Sequence, residues 1–145
     1  MRRLRWLTIP LLAGLVWGCG DSTGVTEADL VGTWNATAFK YSDFGDPVMD
    51  FDIIGMGGSV QIMIAANDAY TVTVTIPLVG PQVINGTWVL QSGNKLILTD
   101  AGETDGVEMT VSISGTTLTV HSTDLMFDFG SGEIPARLDA TFEKG

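Results

Sequence analysis

From Leu30 onward, apolar and polar residues change places at every second position. In 70–76 the residues Tyr70, Val72, Val74 and Ile76 share one face, and Thr71, Thr73 and Thr75 share the other. The same period runs through Val60, Ile62 and Ile64, then through Ile84, Gly86, Trp88 and Leu90, then through Leu96 and Leu98. It returns in Val107, Met109, Val111 and Ile113, in Leu118 and Val120, in Leu125, Phe127 and Phe129, and in Ala136, Leu138, Ala140 and Phe142. Gly32 to Ala38 alternates too, with Trp34, Ala36 and Ala38 on the inner side. Successive strand side chains point to opposite faces, so each run reads as a strand with one face buried. Val, Ile, Thr and aromatic residues suit that pleated surface.

The connections fit strands. Gln91-Ser92-Gly93-Asn94 and Ser114-Gly115-Thr116 are short and carry glycine, as hairpins do. Asn85-Gly86 is also a hairpin signal, but Gly80-Pro81 is the better turn, which places Gly86 inside the next strand at a bulge. No segment longer than two turns keeps a helical period with caps. Eight or nine short-looped strands predict an all-β, antiparallel up-and-down meander closed into a barrel, which removes exposed edges. A two-sheet β-sandwich is the alternative. One connection is long: residues 42–58 contain four aspartates and an apolar patch, and form either a lid over one barrel end or an extra strand.

The start of the chain has a different pattern. Arg2, Arg3 and Arg5 precede the apolar run Trp6–Trp17, followed by Gly18-Cys19. A positive segment, a 12-residue apolar run and a small residue before the cut describe a secretory signal peptide. The run is too short to cross a hydrocarbon core, which takes about 20 helical residues. The stretch Leu15-Val16-Trp17-Gly18-Cys19 resembles the lipobox of bacterial lipoproteins. That resemblance implies cleavage before Cys19, acylation of its thiol, and a partner in the lipid bilayer. Gly20 rather than aspartate after the cysteine favours outer-membrane sorting. The expected organisation is a leader over 1–18, a lipidated Cys19 with a polar tether to residue 29, and one barrel domain over 30–145. The protein is expected at the cell envelope, facing the periplasm or the cell surface.

Charge and composition remove several functions. The chain of 145 residues has 7 basic and 17 acidic side chains, a formal charge of −10. Loss of Arg2, Arg3 and Arg5 with the leader takes this to −13. Nucleic acid is excluded as a partner, because phosphate needs clustered Lys and Arg. One cysteine and one histidine exclude a disulfide framework and a multi-histidine zinc site. His121 lies on the polar face of its strand with no nucleophile tied to it. The carboxylates at Asp50-Phe51-Asp52 and from Asp100 to Asp105 lack the spacing of a calcium loop. No phosphate loop or serine elbow appears. The expectation is therefore no catalytic residue, no metal, no cofactor and no enzyme.

Two segments repeat, Val31-Gly32-Thr33-Trp34 and Asn85-Gly86-Thr87-Trp88. Here the chain resembles the bacterial lipocalin-like domains of the lipocalin and calycin superfamily. In them a Gly-x-Trp motif opens the first strand, matched by Gly32 and Trp34, and its tryptophan plugs the closed barrel end. The stretch GTWVLQSGNKLILTD resembles the second half of these domains. The resemblance also implies a late arginine packed on the motif tryptophan, for which Arg137 is the candidate. Gly32, Trp34 and Arg137 would then form a structural floor. An eight-stranded barrel either fills with side chains or holds one small ligand. The inner set is apolar, so a ligand would be small and apolar, of lipid or fatty-acyl type, against Tyr70, Val72, Val74, Trp88, Met109, Val111 and Phe127. A ligand-free structural or protein-interaction module at the envelope is the alternative.

Overall fold

The computed structural model describes residues 24–44, 49–128 and 133–145, with the backbone alone at 44, 49, 124, 127 and 128. The expected leader over 1–18, Cys19 and Phe129 lie outside the described residues. One turn of helix, α1 (Glu27–Leu30), leads into nine strands. These are β1 (Gly32–Phe44), β2 (Met49–Asp52), β3 (Ser59–Ile64), β4 (Ala69–Ile76), β5 (Gly80–Gln91), β6 (Lys95–Asp100), β7 (Val107–Ser114), β8 (Thr117–Asp128) and β9 (Glu133–Lys144). Each of β3 to β8 pairs antiparallel with the next, β3 pairs with the start of β1, and β9 returns to β1. One sheet of eight strands thus closes on itself. The fold is a barrel and not a two-sheet sandwich.

The strand outside the barrel, β2, settles the nature of the long connection. β2 lies beside the far half of β1, pairing Tyr41 with Phe51 and Lys40 with Asp52. β3 pairs with β1 at residues 32–35, so the rest of that edge would otherwise be open. Beyond β2 the Ile53 N–H donates to the Phe39 carbonyl at 3.0 Å, and the Ile53 side chain is buried. The described part of 42–58 is an edge-covering strand and a plug.

Two bulges redirect side chains. The register of β1 against β9 slips between Ala36 and Ala38. An extra residue in one strand exchanges its inner and outer faces. Ala38, expected inside, is therefore exposed, while Phe39 and Tyr41 turn inward. In β8 the slip between Ser122 and Leu125 carries burial from even positions to odd ones. Ser122 is buried there, and its hydroxyl donates to the Glu108 carbonyl at 2.7 Å.

Two expectations about β5 are corrected. The turn before it is Pro77–Val79, and Pro81 already pairs with Thr75. Gly86 lies within β5 but at no bulge, since its pairing with Tyr70 on one side and Asp100 on the other is regular.

The barrel end where β1 starts is closed by local chemistry. Thr26 and Asp29 cap α1 reciprocally, and Leu30 is fully buried beneath. The Trp34 indole N–H donates to the Leu30 carbonyl at 2.8 Å, and the Trp88 indole N–H to the Ala65 carbonyl at 2.9 Å. In the β5–β6 hairpin, Gly93 (φ 81°) and Asn94 (φ 59°) take the left-handed conformations of a tight turn. The Asn94 side-chain oxygen accepts the Val25 N–H at 2.9 Å, tying the incoming chain to this end.

Candidate functional site

Above this packed end the barrel holds a cavity of about 230 Å³. Alternation on β3, β4 and β6 supplies Val60 and Ile62, Val72 and Val74, Leu96 and Leu98 to its wall, and β8 adds Leu118 and Val120. Phe39 and Tyr41 reach it through the β1 bulge, and Leu125 through the β8 bulge. Ile84, Asp100 and Met126 line the cavity and also reach solvent, so it opens where they stand.

Of the residues expected to line a site, Tyr70, Val72, Val74 and Met109 stand on this wall. Trp88 and Val111 do not. Both are nearly inaccessible and belong to the packed core, Trp88 held at the closed end by its indole hydrogen bond. The Phe127 side chain lies outside the described residues. Arg137 also departs from expectation: it pairs with Ser42, far along β1 from Trp34, and its guanidinium is 3.4 Å from Asp43. The cation above Trp34 is Lys144, its ammonium 5.1 Å from the ring centroid, placed there by the pairing of Trp34 with Lys144. Gly32 and Trp34 do stand at the floor.

The wall has a polar corner that the expected lining lacks. Tyr70, Gly86 and Asp100 are paired side by side across β4, β5 and β6. The Tyr70 ring crosses over Gly86, and its hydroxyl donates to the Asp100 carboxylate. A Cβ on residue 86 would meet the Tyr70 ring at 2.7 Å and run into the Thr99 carbonyl oxygen. Gly86 is thus the gap through which the phenol passes. Burial, with the Asp100 carboxylate accepting a hydrogen bond from the neutral phenol, pushes Tyr70 well above its ordinary range. Burial alone pushes Tyr41 up to about 12. Both phenols are neutral at any physiological pH.

Asp100 is legible in the sequence, because Leu96, Leu98 and Asp100 share one parity. An acidic hairpin tip over 100–105 is the competing pattern that hides it. Tyr41 leaves no such signal, since only the bulge at Thr37 brings it inside.

The remaining titratable candidates lie elsewhere. His121 is on the outer surface, its Nδ1 2.6 Å from Asp139, and it does not line the cavity. Asp50 pairs with Lys40 at 2.8 Å, and Asp52 accepts the Gly55 N–H at 2.8 Å. Among the described residues no three His, Cys, Asp or Glu side chains converge as metal ligands.

No curated protein matches the chain. A model of the lipocalin-like domain matches residues 30–120, from the last residue of α1 into β8. That span covers both Gly-Thr-Trp segments and the whole Tyr70–Gly86–Asp100 row. With a closed antiparallel barrel around a cavity, the chain belongs to the lipocalin-like domain family.

Proposed function

We propose that this protein is an envelope-anchored carrier of a small apolar ligand, of lipid or fatty-acyl type, held inside the barrel. Lipocalin-like domains are in general binding proteins and not enzymes. The observation that carries the reading is the cavity itself, about 230 Å³ with almost wholly aliphatic and aromatic walls. Protein interiors are otherwise close-packed, and an apolar void forfeits dispersion contacts that a ligand restores. A void of about 150 Å³ admits benzene. At that ratio of roughly 25 Å³ per non-hydrogen atom, a cavity of about 230 Å³ takes about nine, the size of a short acyl chain.

The test is a titration of the protein with 1-octanol, an uncharged eight-carbon amphiphile, following the methyl resonances of Val72, Val74 and Leu96. Saturable shifts are expected, and they vanish in a folded Val72→Trp variant, whose indole occupies the space. Absence of saturation in the wild-type protein would sink the carrier function. The anchor is proposed on the lipobox resemblance at Cys19. It predicts labelling of the protein by radioactive palmitate in cells and loss of the label in Cys19→Ser.

A second reading, a protein-interaction module, has one specific support. The β4–β5 hairpin exposes Leu78 and Val79 at its turn and Val83 on the outer face of β5, more apolar surface than a bare hairpin needs. Retention of binding to envelope extracts by Val72→Trp, with no ligand found in the wild type, is the outcome that favours it.

A further inference from the structure

We infer that the ligand of this cavity is an amphiphile with a cationic head, a protonated amine, that Asp100 receives at the cavity opening. The inference rests on the carrier reading above and adds the chemistry of the ligand's polar end. Asp100 is the one charged residue on the described cavity wall. It stands where the wall meets solvent, so a body seated among Leu96, Leu98 and Val72 would leave its head beside this carboxylate.

The carboxylate is presented and held. A carboxylate offers two oxygens and about four acceptor positions. The Tyr70 hydroxyl occupies one, and the geometry that delivers it depends on the bare backbone of Gly86. No described cation answers Asp100: Lys40 is on Asp50, Lys95 on Glu108, Arg137 on Asp43 and Lys144 over Trp34. A charge at the edge of an apolar cavity gains most from a partner of opposite charge, because the low-dielectric wall strengthens the attraction. A carboxylate head, by contrast, would meet Asp100 as a like charge on a molecule whose formal charge is already −10. The wall therefore accepts a fatty-acyl body and rejects a free fatty-acid head. Ammonium is also the better hydrogen-bond donor, with three N–H groups.

Three probes of equal length separate the possibilities: n-octylamine, 1-octanol and octanoate, titrated at pH 7 into the protein expressed from the full chain, with the same methyl resonances as readout. A primary amine is protonated at this pH, as a lysine side chain is. The expected result is at least tenfold tighter binding of octylamine than of octanoate, with octanol between them. Asp100→Asn erases the preference while octanol affinity changes less than about threefold. Asp105→Asn, the same loss of charge on the adjacent loop, leaves the preference in place. Tyr70→Phe keeps the carboxylate and keeps the preference. Should Asp100→Asn fail to fold, the wild-type order of the three probes and the Asp105→Asn control decide. Octanoate binding as tightly as octylamine, or an equal effect of the two aspartate variants, overturns the inference and leaves the carrier reading standing. Failure of all three probes to bind overturns both.

Discussion

A methyl group at residue 86 would run into the Thr99 carbonyl oxygen and lie 2.7 Å from the Tyr70 ring. Neither neighbour yields easily, one being strand backbone and the other a ring held by Asp100. Gly86→Ala is therefore expected to cost about 3 kcal/mol or more, at the upper end of overpacking effects. A urea midpoint within experimental error of the wild type would contradict the close approach. Tyr41 gives a prediction of a different kind. Its phenol ionises near 10.0 in an unfolded chain and at about 12 in the barrel. Below pH 10 the phenol is neutral in both states, and its burial contributes fully. Between the two values the unfolded chain ionises first, so stability falls as pH rises through that window, by up to roughly 2–3 kcal/mol. Tyr70 is shifted the same way and adds to the fall. Tyr41→Phe should flatten part of the decline in alkaline denaturation profiles; an unchanged slope would mean that the ring is not buried. At this scale the sequence is uneven. Tyr70, Val72, Val74 and Met109 declare themselves by parity and stand on the wall. Asp100 has the same parity, yet its charge and its place beside a glycine-bearing loop suggest a tip.

Elements are where alternation both succeeds and misleads. Every barrel strand contains a run of period two, because over that run one face is turned to the core and one to water. A one-dimensional pattern lacks the residue that interrupts it. The bulges in β1 and β8 are seen in cross-strand register, and each reverses the facing of the residues beyond it. β8 leaves a trace, since Val120 and Leu125 differ in parity. β1 leaves none, as Ala36 and Ala38 read equally well inside. The floor cation shows the same limit: register puts Lys144, and not Arg137, opposite Trp34. The β4–β5 hairpin also carries a local cost. Leu78 is fully exposed at a φ of 71°, a conformation that costs a residue with a Cβ about 1 kcal/mol and suits Asn or Gly. Leu78→Asn is expected to raise stability by about 0.5–1 kcal/mol in thermal unfolding. A loss of stability would show that the leucine is held by contacts and is not strained.

At the scale of the molecule, closure through β1 and β9 leaves a packed end and an open end with different chemistry. The packed end gathers α1, Trp34, Trp88 and the incoming chain. The cavity lies beyond, walled by aliphatic and aromatic residues and marked by one carboxylate. Whether the barrel fills itself is open from the sequence, because eight strands allow either outcome. Small side chains and a glycine on inner positions permit a void, but the volume depends on how far Phe39, Tyr41 and Leu125 reach in, and both bulges decide that. The acidic surface outside follows from composition and is the same for a carrier or a docking module.

The most direct measurement is native mass spectrometry of the protein purified gently from cells expressing the full chain, followed by organic extraction and identification of whatever leaves the barrel. A carrier of this kind gives a one-to-one adduct with a short apolar body and an amine head, absent from the Val72→Trp variant. A bare mass in the wild-type protein, together with no saturable uptake of n-octylamine or 1-octanol, would contradict it.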